Sequence, residues 1–111
     1  MKRVIITGAS DGLGLELSKQ FIEKGVEVIG ISRTKPSIEV KFIKADLTVD
    51  SEIENAIKII KKDFPKFDCL INCAGIMQVA PLNKIDFKKV SESFKVNIIA
   101  QIKLVSGLMD L

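Results

Sequence analysis

The apolar run Val4-Ile5-Ile6 is followed at once by the stretch ITGASDGLG, which holds three glycines, Gly8, Gly12 and Gly14. A glycine inside a regular element costs roughly 0.5–1 kcal/mol relative to alanine. Three of them at this point mark a turn whose backbone comes close to something else. After the turn, Leu13, Leu17 and Phe21 recur at helical spacing with Glu16, Lys19 and Glu23 between them, and Gly25 is placed to end the helix. A glycine turn between a first strand and a first helix offers free backbone N–H groups and the positive end of a helix dipole, a setting for a phosphate. The spacing Gly-x-x-x-Gly-x-Gly is not the commoner Gly-x-Gly-x-x-Gly. Taken alone it fits a tight structural loop as well; the strand before and the amphipathic helix after are what direct it toward phosphate.

The rest of the chain alternates in kind. VEVIGI at 26–31 is a second β-rich run, Pro36 marks a loop, and EVKFIKAD supplies a third strand ending at Asp46. Ile53, Ala56, Ile57 and Ile60 form one apolar helix face behind Asp50 and Glu52, and Pro65 ends that helix. FDCLINCAG, nearly apolar throughout, is a fourth strand of the kind covered on both faces in a parallel sheet. GIMQVAPLNKID is loop, and 87–111 is a last long helix. The order β-α-β-β-α-β-α predicts an α/β fold, a doubly wound parallel sheet with helices on both faces, forming one domain over residues 1–111.

Composition excludes several function classes. The net charge is +3 and the seventeen basic residues are interspersed with fourteen acidic ones, so no nucleic-acid surface is expected. No apolar stretch reaches the roughly 18 residues of a membrane span, and no signal-peptide core follows the N-terminus, so the expectation is a cytoplasmic protein without a membrane partner. Cys69 and Cys73 fall in one extended strand, too far apart for a disulfide, and with no histidine in the chain no metal site is expected. There is also no tyrosine and no tryptophan.

Thr7-Gly8-Ala9-Ser10-Asp11-Gly12-Leu13-Gly14 resembles the Thr-Gly-x-x-x-Gly-x-Gly cofactor motif of the short-chain dehydrogenase/reductases. Three further matches follow in order: Asp46 after the third strand, NCAG at 72–75 where that family has Asn-Asn-Ala-Gly, and Asn97 in the next helix. The resemblance covers essentially the whole chain and implies a Rossmann-type domain that stops after the fourth strand and its following helix. It implies cofactor-binding roles for Gly8, Gly12 and Gly14 along the pyrophosphate, for Asp46 at the adenine amino group, and for Asn72, Ala74 and Gly75 beside the adenosine ribose, with Ser10, Asp11, Leu13 and Leu47 also in the cofactor site. Asn97 resembles the helix asparagine of the family's catalytic set. Ser32 and Arg33, at the end of the second strand, suit a ribose 2′-phosphate, which favours NADP over NAD as the cofactor. Many NADP-using relatives carry Arg or Lys where this chain has Asp11, a residue that a helix N-cap would also explain.

The family's Tyr-x-x-x-Lys pair and its serine are not found, and a chain without tyrosine has no phenol to exchange a proton with substrate. Three readings stay open: the cofactor-binding portion of a short-chain oxidoreductase, not catalytic by itself; a non-catalytic nucleotide-binding module or split-enzyme subunit; and a self-associating structural remnant that binds no nucleotide. The last helix carries Phe94, Ile98, Ile102, Val105 and Met109 on one face and Val96, Ala100, Leu104 and Leu111 on the other. A helix apolar on two faces is buried on two faces, so a homo-oligomer or a complementary C-terminal half is expected against it, with Leu104→Glu as the disrupting substitution. The outer edge of the fourth strand, which would lack a neighbour, is the alternative contact.

Overall fold

A computed structural model describes residues 1–76 and 81–109. Four parallel strands lie in the order β3-β2-β1-β4: β1 Arg3–Thr7, β2 Glu27–Ser32, β3 Lys41–Lys44 and β4 Cys69–Asn72. Helix α1 spans Gly12–Glu23 and α2 spans Asp50–Asp63. Side chains of a strand alternate between faces, and here the alternation sorts the core in two. Ile5, Ile29, Ile31 and Ile43 face one way, under α2 and the C-terminal helix. Val4, Ile6 and Val28 face the other way, against Leu17 and Phe21 of α1. The doubly wound arrangement is therefore present, with helices on both faces.

The connection between β2 and β3 departs from the usual helix. Parallel neighbours need a crossover, most often helical, but residues 33–40 return along the sheet as an irregular segment. Pro36 is buried within it, and Val40 packs beside Ala9 and Val28. This short crossover starts beside the glycine turn, which becomes relevant to the site.

Three expected elements differ in extent. The third strand covers only Lys41–Lys44; Ala45 still donates to the Ser32 carbonyl (3.0 Å), and the chain then turns through Asp46. The fourth strand is Cys69–Asn72 rather than 67–75, and its residues are half-buried rather than covered on both faces, because among the described residues β4 is an edge strand paired with β1 alone. The last helix is not continuous: α3 (Phe87–Phe94) passes through a π-helical turn, Lys95–Ile99, into α4 (Ala100–Leu108). The expected loop at 75–86 contains a 3₁₀ turn at Leu82–Lys84, while its residues 77–80, like Leu111, lie outside the described residues.

The two apolar faces of the C-terminal helix have different fates. Val96, Ala100, Leu104 and Leu108 are buried in this chain's own core, beneath α2. Phe94, Ile98, Ile102, Val105 and Met109 are exposed by 42–77%. Leu104 thus belongs to the fold, not to an outer contact, which corrects its expected role as an interface residue. Leu104→Ala, at a fully buried position, is expected to cost about 2–5 kcal/mol in urea unfolding, and Leu104→Glu to unfold the chain rather than dissociate it.

Candidate functional site

The site is built where the C-terminal ends of the strands meet the start of α1, the usual ligand position in an open parallel sheet. A hollow of about 400 Å³ opens there. Gly8, Ser10 and Asp11 of the glycine turn form one wall, and Ser32 and Arg33 at the end of β2 form the second. Asp46 and Leu47 after β3, with Ala74 and Gly75 after β4, complete it. Nine residues singled out in the sequence from four separate segments are thus brought together. Larger hollows of about 710 and 810 Å³ lie elsewhere, the first along the β2–β3 crossover and the second beside Arg3 and Pro65; neither touches the glycine turn.

The glycines have separate duties. Gly8 adopts φ +69°, its N–H donates to the Ile31 carbonyl (2.8 Å), and a Cβ there would lie 2.7 Å from the Ala74 nitrogen. A Cβ on Gly14 would overlap the Gly8 carbonyl oxygen. These two therefore allow β1, α1 and the segment after β4 to touch through their backbones. Gly12 is different: φ is +52° and nothing stands within 4 Å of a Cβ built on it, so the space beside it is left open. The N–H groups of Gly12, Leu13 and Gly14 find no partner among the described residues, as the first turn of a helix dictates, and no acidic side chain sits in that turn. Together they leave the start of α1 with free backbone donors.

Asp11 occupies the N-cap position, but its side chain makes no capping hydrogen bond and is exposed. The capping role expected for it is not filled. Its carboxylate stays at the rim of the hollow.

Ser32 is buried and its hydroxyl donates to the Thr34 carbonyl (2.7 Å). That bond closes a tight turn at the start of the crossover and leaves Arg33, exposed, on the rim. Asp46 is half-buried; desolvation pushes its pKa up, but hydrogen bonds from Thr48 and the Arg33 charge outweigh this and hold it below the ordinary carboxylate value. Across the hollow, burial pushes the Cys73 thiol up.

Asn72 and Asn97 stand behind the wall rather than in it. Asn72 Oδ1 accepts from the Thr7 hydroxyl (3.4 Å), and the Ala74 N–H donates to that same hydroxyl (3.2 Å), so Thr7 ties NCAG to the end of β1. Asn97 sits in the π turn and holds Ile76 at two points: its Oδ1 accepts from the Ile76 N–H (2.7 Å) and its Nδ2 donates to the Ile76 carbonyl (2.8 Å). Its amide fixes the loop leaving β4. The hollow also contains residues that the sequence does not assign to a cofactor site, among them Ile31, Thr34, Thr48, Cys73 and Val96. Thr48 had a readable signal, a hydroxyl two residues after an aspartate, the spacing of an Asx-type turn; Val96 had none, since only folding brings the C-terminal helix here.

Comparison with known proteins agrees with this geometry. The family model of the short chain dehydrogenases matches residues 2–111. Galactitol 2-dehydrogenase of Agrobacterium fabrum is 31% identical, over 97% of this chain and 47% of its own length. A short chain dehydrogenase family protein from Francisella tularensis superposes with a TM-score of 0.90 at 30% identity, covering 99% of this chain and 46% of that one. A short chain dehydrogenase from Leptospira borgpetersenii, solved with bound NAD+, gives 0.89 at 28% identity, over 98% of this chain and 45% of that one. The chain spans about half the length of the relatives it matches.

Gly14→Ala is expected to lower stability by about 1–3 kcal/mol, the range for forcing a methyl into packed backbone. A lower urea midpoint at unchanged slope would report it.

Proposed function

We propose, from the premise that this chain belongs to the short chain dehydrogenase family, that its 111 residues form a single domain, the NADP(H)-binding portion of an oxidoreductase. The carrying observation is the convergence of a cationic side chain, a carboxylate and the glycine turn that leads into α1 on one hollow at the strand ends. Each part suits a different piece of the ligand. The N–H groups of Gly12, Leu13 and Gly14 would take the pyrophosphate oxygens, Arg33 the 2′-phosphate, and Asp46 the adenine amino group. Ala74 and Gly75 would lie along the adenosine ribose, with Asn72 holding them in place through Thr7.

Relatives solved with NAD support a nicotinamide dinucleotide. The preference for NADP rests on Arg33, whose fork of donors matches a phosphate, set against the repulsion of Asp11 on the opposite wall. The dinucleotide, when bound, supplies hydride transfer; this chain's residues supply binding and orientation. No tyrosine is present to exchange a proton with a carbonyl oxygen, so turnover by these residues alone is not expected. In the intact family context Asn97 would act by holding the Ile76 segment. The free thiols of Cys69 and Cys73 suit a reducing cytoplasm, and no described helix is long and apolar enough to cross a membrane.

Calorimetry on the folded chain is expected to show NADP+ binding more tightly than NAD+, with no carbonyl reduction in a coupled assay. Arg33→Ala should narrow that preference about tenfold, the value of one hydrogen bond to a charged group. No heat from any dinucleotide would overturn the reading, and an unchanged ratio would make Arg33 a bystander.

The exposed face of α3 and α4 supports an assembly. Five large apolar side chains on one helix side, Phe94 to Met109, exceed what a monomer ordinarily leaves in water. A second copy of the chain, or the complementary half of a longer protein, would cover them. Light scattering is expected to give a dimer or larger particle, and Ile102→Glu, at an exposed position, to yield folded monomer. A wild-type monomer at micromolar concentration would refute the self-association.

A further inference from the structure

We propose that Thr48 is a positioning residue: it holds one oxygen of the Asp46 carboxylate so that the other is presented to the ligand. The inference rests on the nucleotide-binding reading above and deepens it.

Asp46 lies beyond the end of β3, where the ladder no longer holds the chain. Two bonds from Thr48 replace that support, and both arrive on the same atom. The Thr48 N–H donates to Asp46 Oδ1 at 2.9 Å and the Thr48 hydroxyl donates to it at 2.7 Å. Asp46 Oδ2 has no partner among the described residues, although Asp46 and Thr48 both line the hollow. The main chain is held as well, since the Asp46 N–H donates to Glu52 Oε1 (3.0 Å) from the first turn of α2. With one oxygen held by two donors, rotation of the carboxylate is suppressed and Oδ2 keeps one direction. An amino group of a ligand base meets a fixed acceptor rather than a rotor, which lowers the ordering cost of binding.

The charged and titratable groups around this carboxylate are Arg33 from the crossover, Asp11 from the glycine turn, Glu52 from α2 and the Cys73 thiol after β4. Desolvation opposes the ionised form and Arg33 favours it. The bonds from Thr48 to the charged form add to the Arg33 effect, so removing the hydroxyl moves the Asp46 pKa upward. The sign follows: a carboxylate needed in its ionised form loses its ligand as pH falls through its folded pKa, and in Thr48→Val that loss begins at a higher pH.

Thr48→Val keeps the shape and the backbone bond and deletes the hydroxyl bond. On the full 111-residue chain, with NADP+ as the probe and circular dichroism confirming the fold, it is expected to weaken binding about three- to tenfold near neutral pH. It should also move the acid limb of the binding curve upward, whereas Thr48→Ser restores both. Thr48→Ala serves in its place where the valine variant does not fold. Wild-type affinity with an unmoved acid limb in the valine or alanine variant overturns the proposal. A wild-type chain that binds no NADP+ overturns the nucleotide reading instead, and carboxyl-carbon NMR of Asp46 without ligand separates the two failures. A raised Asp46 pKa in Thr48→Val then upholds the hold on the carboxylate, and an unmoved one refutes it.

Discussion

Four backbones meet at Gly8. Its N–H bonds the last turn-facing carbonyl of β2, its carbonyl lies under Gly14 at the start of α1, and its Cα lies against the main chain at Ala74 after β4. No side chain separates these segments. A methyl group at either glycine would drive them apart, because its neighbours would be backbone atoms that do not rotate away. This contact sets the distance between the helix terminus and the ends of all the central strands, and so fixes the width of the hollow. The Thr7 hydroxyl, one residue earlier and fully buried, completes the junction by bonding both Asn72 and Ala74.

The opposite end of the sheet is closed by different means. Arg3, Glu27 and Lys41 link the starts of β1, β2 and β3 through ion pairs at 3.1 and 2.7 Å, and both cations lie 5.4 Å from the centre of the Phe64 ring. Those pairs draw Glu27 below the usual carboxylate range, led by the bond from Lys41. Asp68 accepts from the N–H groups of Lys2 and Arg3, which hold its carboxyl low in the same way. Such partly exposed pairs contribute little individually. Their effect is to align strand starts with side chains; at the other end, among the described residues, side-chain pairing across the strands is found at Thr7. Among the described residues, unpaired N–H groups and a spare carboxylate oxygen collect at that other end.

The two sheet edges are also unlike each other. Lys41 and Lys44 stand exposed on β3, the pattern that discourages a further strand. β4, Cys-Leu-Ile-Asn, carries no charge and is only half-buried. The uncovered face of α3 and α4 follows it in the chain. Charge at one edge and apolar surface at the other give the sheet a closed side and an open side.

Much of this was legible in the sequence. Alternation in Val4, Ile5 and Ile6, the glycine spacing, and the apolar period of α2 depend on local geometry, which a chain carries in its residue order. Nine residues of the hollow lie in segments that the sequence motifs already mark. Other features needed the folded chain. An edge position, not composition, left β4 half-buried, and packing beneath α2 decided that Leu104 turns inward while Ile102 stays in water. The π turn arises where Asn97 grips a loop 21 residues away in sequence, a partner no local pattern names. Residue type and spacing determined what each segment could be; contacts between distant segments decided which atoms were left unpaired, because a hydrogen-bonding group's availability depends on every neighbour that folding brings within reach.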